Sequence, residues 1–164
     1  MSSYHRRLPA IALAAAGVAA LAGCEKPTPV ATVVRGSDSV HTQAACYAHD
    51  EEDAVDERKC QPRGHPPEKI VVHAGDALGV GLDPASGATA WRVVVFDTAR
   101  RGPVLEARFS GEQTYRRFQV PAEVLRFGTA ELRVVAYVDG KARGVWFFQL
   151  ERDPADKQLD WIQG

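Results

Sequence analysis

One stretch near the C-terminal end leaves this chain little freedom in what it can fold into. Across residues 130–138, Ala130, Leu132, Val134, Ala136 and Val138 alternate with Glu131, Arg133, Val135 and Tyr137. Successive side chains of an extended strand point to opposite faces, so a period of two over this length predicts a strand with one face on a core. Asp139-Gly140 follows, a pair suited to the positive backbone angles of a tight type I′ turn. Residues 144–150 then return with Trp146, Phe148 and Leu150 on a common face. A hairpin is expected here, and a hairpin with a broad apolar face needs further strands to cover it.

The preceding sequence supplies them. Strand-like runs occur at 32–35, 39–47, 69–73, 77–82, 90–96, 104–109 and 115–120, separated by turn clusters such as Gly36-Ser37-Asp38, Ala74-Gly75-Asp76 and Asp83-Pro84-Ala85-Ser86-Gly87. No helical period extends over a useful length; residues 121–127 suit at most one turn of helix. Eight or nine short strands with turn signals every 8 to 12 residues predict an all-β sandwich. The pattern resembles immunoglobulin-like sandwiches of about 7–9 strands, with Trp91 as a core anchor on a central strand.

The N-terminus reads differently. Residues 1–7 carry Arg6 and Arg7 with no acid, residues 8–21 are almost continuously apolar, and small residues precede Cys24. A basic head, an apolar stretch too short for a comfortable membrane span, and a small-residue cut site describe an export signal. Leu21-Ala22-Gly23-Cys24 resembles the lipobox of bacterial lipoproteins. The resemblance implies cleavage before Cys24 and diacylglycerol on its thiol, two acyl chains that give stable anchoring to the extracytoplasmic side of the cell membrane. The expected layout is a signal at 1–23, a proline-stiffened tether at 24–30, a sandwich at 31–152 and a tail at 153–164. The 141 residues from Cys24 onward suit one core. Their 18 basic and 21 acidic residues give a net charge of −3, no footprint for nucleic acid and no polybasic surface for lipid headgroups.

With one of three cysteines assigned to lipid, Cys46 and Cys60 remain as an even pair in an oxidising compartment, and a disulfide is expected between them. Cys46, His49, Cys60 and His65 also have the ligand types of a Cys2His2 zinc site. Export exposes the thiols to oxidation before metal, so the disulfide is preferred and no metal or other cofactor is expected. Asp50, Glu51, Glu52, Asp53, Asp56 and Glu57 crowd the intervening loop, but without the glycine turn and ligand spacing of a calcium loop they read as a solvated acidic segment.

Catalytic signals are few. Ser39 and His41 share a strand face but sit about 6.6 Å apart along it, beyond direct hydrogen-bond reach. Gly79-Val80-Gly81 lacks the third glycine and following helix of a dinucleotide site. His73 reads as a strand residue at a sheet edge, and Trp161-Ile162 as a clasp folding back on the sandwich.

The lipobox, residues 27–34 leading into the first strand, the Cys46/Cys60 pair, Val71-Val72-His73-Ala74-Gly75-Asp76, Trp91-Arg92-Val93-Val94 and Gly144-Val145-Trp146-Phe147-Phe148 together resemble a family of uncharacterised actinobacterial lipoproteins. The resemblance implies the envelope location and the fold, and no activity. The expected function is a non-enzymatic binding or structural module of the cell envelope, its partners the membrane through Cys24 and an envelope protein or ligand. Metal binding through the Cys/His cluster and hydrolysis are the alternatives.

Overall fold

The computed structural model describes residues 27–50, 52–62, 66–97, 102–126 and 128–159. The export signal, Cys24, His65, Trp161 and Ile162 lie outside them.

The described residues form ten strands: β1 Val30–Arg35, β2 Asp38–Gln43, β3 Cys46–Tyr47, β4 Glu68–Val72, β5 Ala77–Leu82, β6 Ala90–Asp97, β7 Pro103–Ser110, β8 Tyr115–Gln119, β9 Thr129–Val138 and β10 Lys141–Arg152. A short helix, α1, covers Pro154–Leu159, and single 3₁₀ turns occupy Pro84–Ser86 and Ala122–Leu125. Four strands make one sheet in the order β2-β1-β5-β8. The other runs β3-β10-β9-β6-β7, with β4 also on β10. Pairing is antiparallel except between β4 and β10, which run parallel. The two sheets pack as a sandwich, the all-β class the alternation requires.

β9 and β10 form the expected hairpin. Asp139 and Gly140 both take positive φ, 49° and 79°. The register sets Trp146 beside Val134, Phe148 beside Leu132 and Leu150 beside Ala130. All six are fully buried, in one cluster with Val33, Leu78, Val80, Val93 and Val95. Trp91 is buried as an anchor: its ring lies 4.5 Å from that of Phe109, and its Nε1–H donates to the Gln113 carbonyl.

Two features depart from a simple sandwich. The run at 39–47 divides, with β2 in the first sheet and β3 in the second, so the chain crosses between sheets at Ala44-Ala45. Val135 and Phe147, on the face that alternation assigns to solvent, are also buried. The segment between the cysteines folds over them, and Cys60, Val135, Ala142, Val145 and Phe147 form a second small core with Ala45, Cys46, Val55 and Tyr137 around it. The Cys46–Cys60 disulfide, with Cα atoms 6.0 Å apart, closes that cover. It lies on the outer side of the second sheet rather than across the sandwich, so the antibody pattern of a disulfide between sheets is not used.

Gly79 and Gly81 on β5 have a packing role. The Tyr115 ring lies across them from β8, and a methyl group at Gly79 would overlap that ring. Gly79→Ala is expected to displace Tyr115 and cost about 1–2 kcal/mol. Urea denaturation checks this, with Tyr115→Ala costing less in the Gly79→Ala background than alone, as coupled neighbours require.

Candidate functional site

A cleft of about 940 Å³ opens at one end of the sandwich. Four separate segments line it: the entering chain at Pro27–Val30, residues after β3 including Tyr47 and His49, the 83–87 loop, and the β9–β10 turn with Asp139, Lys141 and Arg143. Its volume is in the range of small-molecule sites.

The entering chain is fixed to the core from below. The Trp146 Nε1–H donates to the Pro29 carbonyl at 2.9 Å, and the Asp83 N–H donates to the Val30 carbonyl at 2.9 Å. Asp83 also caps the neighbouring 3₁₀ turn, its Oδ1 accepting from Ala85 N–H at 2.8 Å. Gly87 ends that turn in a left-handed conformation. Tyr47 meets the His49 ring edge-on at 5.1 Å and the Trp146 ring at 6.5 Å, tying the cleft wall to the core.

The polar groups divide by whether the fold already uses them. Arg143 is buried, and its guanidinium donates to the carbonyls of His49, Asp50 and Asp53, so it holds the acidic loop in place. Lys141 makes only a long contact, 3.4 Å, to the Glu52 carbonyl. Thr28 Oγ1 is buried with no hydrogen-bonding partner in the protein. Such a group costs about 1–3 kcal/mol when left unpaired, so it is a position where a ligand's polar atom is favoured.

Asp50, Glu52, Asp53 and Asp56 are exposed, as a solvated acidic loop requires, but Glu57 turns inward. It accepts from the Tyr137 hydroxyl at 2.7 Å and from the Arg92 guanidinium. Burial, then the hydrogen bond to Glu57 and the charge of Glu57, push the Tyr137 hydroxyl well above the ordinary phenol range. It remains a donor at physiological pH and fastens the loop to β9.

Cys46 and Cys60 are joined, so neither sulfur is a thiolate, and His49 stands exposed at the cleft. Among the described residues, no group of three His, Cys, Asp or Glu side chains is placed to hold a metal ion. Ser39 and His41 are both exposed on β2, opposite Val34 and Thr32, and no hydrogen bond joins them. His73 lies just past β4 and contacts two aspartates near α1. Of the cleft residues only His49 stood out in the sequence. Asp83, Asp139 and Gly140 were legible as turn formers, but nothing local reveals that their turns face one another across the entering chain.

Disulfides persist in oxidising compartments, so the Cys46–Cys60 link points to an extracytoplasmic location. Among the described residues no helix is long and apolar enough to cross a membrane. Compared with protein-family models, curated proteins and solved structures, the chain matches none.

Proposed function

We propose that this chain is a lipoprotein of the bacterial cell envelope, cut before Cys24 and tethered by lipid on that cysteine, whose sandwich is a non-enzymatic module binding a ligand in the tether-end cleft. The observation that carries the binding role is the cleft itself, with the partnerless Thr28 hydroxyl in its wall and Lys141 weakly engaged. The export signal, the Leu21-Ala22-Gly23-Cys24 motif, the disulfide and the resemblance to actinobacterial lipoproteins support the tethered location.

Anchor and cleft are close in this reading. Five residues separate Cys24 from Pro29, and a fully extended chain of that length spans about 17 Å. The ligand is therefore met near the membrane surface. Native mass spectrometry of the chain extracted in mild detergent tests the cleft: a bound small molecule is expected, lost in Tyr47→Ala and weakened in Thr28→Val. No adduct, or an adduct indifferent to both changes, contradicts the reading, as does a turnover abolished by Ser39→Ala or His41→Ala.

The tether has its own expected outcome. Cys24→Ser is expected to move the domain from the membrane to the soluble fraction or leave it unprocessed, and to abolish incorporation of labelled palmitate. Membrane fractionation with metabolic labelling checks both.

A further inference from the structure

At the end of β4 the chain turns through His73, Ala74, Gly75 and Asp76, and α1 begins beside it. The His73 ring faces two carboxylates: Nδ1 is 2.9 Å from Asp156 Oδ1, and Nε2 is 3.5 Å from Asp153 Oδ2. Both belong to the start of α1, where Asp153 Oδ1 also accepts from the Ala155 N–H at 2.8 Å. Asp156 Oδ2 accepts from the Ala74 N–H at 3.3 Å. The helix is thus docked on the β4 turn largely through this histidine.

A neutral imidazole carries one N–H. It can donate to one of the aspartates, and its other nitrogen then presents a lone pair toward the second carboxylate. An imidazolium donates from both sides and brings a positive charge to the pair. The surrounding charges favour that form. Three carboxylates, Asp76, Asp153 and Asp156, gather here against two guanidiniums. Arg35 Nε donates to Asp76 Oδ2 at 2.7 Å, and Arg152 Nη2 donates to the Asp156 carbonyl at 3.1 Å.

We infer that His73 is a pH-responsive clasp: when protonated it holds α1 against the end of β4, and on losing its proton it loosens the helix from the sandwich. This goes beyond the binding role proposed for the cleft. The sign follows from both partners. The imidazole contributes its charge on the acidic side of its titration and loses it as pH rises between about 5 and 8. Asp156, held below the ordinary carboxylate range by the His73 hydrogen bond first and the Ala74 N–H second, contributes above the unfolded carboxylate range. That contribution is lost as pH falls through its own lowered value. Docking is tightest in the mildly acidic window between the two.

Hydrogen–deuterium exchange on the full chain in detergent tests the clasp, reading peptides covering 153–159 at about pH 5.5 and about pH 8 after correction for intrinsic exchange. Protection of α1 is expected to fall about fivefold at the higher pH, the size of a good partly exposed ion pair. Peptides from β9 and β10 are expected to hold steady. His73→Gln, which keeps a neutral hydrogen-bonding group, is expected to give low protection at both values. Asp156→Asn is expected to flatten the response as well, and it gives a second variant if His73→Gln folds poorly. Equal wild-type protection at both pH values, or the same fall in His73→Gln, overturns the inference.

Discussion

Replacing both Cys46 and Cys60 by alanine is expected to lower the stability of the domain by about 3 kcal/mol, since the link closes a loop of about 15 residues. For a domain of this size that is a fall in Tm of about 10 °C. The loss is not confined to chain entropy. The disulfide holds the segment that covers Val135 and Phe147, and Glu57 in that segment is the acceptor for Tyr137 and Arg92. Freeing it exposes a second apolar face of β9 and β10. Thermal melts check the size of the effect: reductant is expected to lower the wild-type Tm by a similar amount and leave the double variant unmoved. A shift of under 1 kcal/mol would mean that Val55, Glu57 and Arg143 hold the segment down without the link.

The second large effect is expected at Trp146, which is fully buried between the sheets. Trp146→Ala is expected to cost about 3–5 kcal/mol through lost burial and the cavity left behind. Trp146→Phe keeps much of the volume and removes the indole N–H, leaving the buried Pro29 carbonyl without its donor. That change is expected to cost about 1–3 kcal/mol. The pair separates packing from the hydrogen bond that fixes the entering chain. Urea denaturation gives both values. If Trp146→Phe is neutral in stability and in cleft occupancy, the bond to Pro29 is not what shapes the cleft.

What the sequence reveals, and what it conceals, follows from how local each signal is. The β9–β10 hairpin is legible because alternation, turn and return strand lie within about 20 consecutive residues and obey one periodicity. Cys46 and Cys60 are legible by the even count once Cys24 is set aside. The burial of Val135 and Phe147 is not, because alternation reports one covered face and knows nothing of a distant loop laid on the other. The division of the 39–47 run is hidden for a similar reason. Ala44 and Ala45 are unremarkable in an extended chain, and only β10, a hundred residues away, shows that β3 belongs to the second sheet. β10 also begins earlier than the alternation suggests, since Lys141, Ala142 and Arg143 precede a register shift before Gly144. The cleft is hidden most completely. Its residues come from four segments whose meeting depends on the whole sandwich, and Thr28 carries no motif at all.

The most direct test of the central claim is the intact mass of the full-length gene product extracted from bacterial membranes, taken before and after thiol labelling. The account predicts residues 24–164 plus a diacylglycerol adduct on Cys24, two hydrogens short for the closed Cys46–Cys60 link, and no thiol open to the label. A chain that still begins at Met1, or one whose Cys24 thiol takes the label, would contradict it.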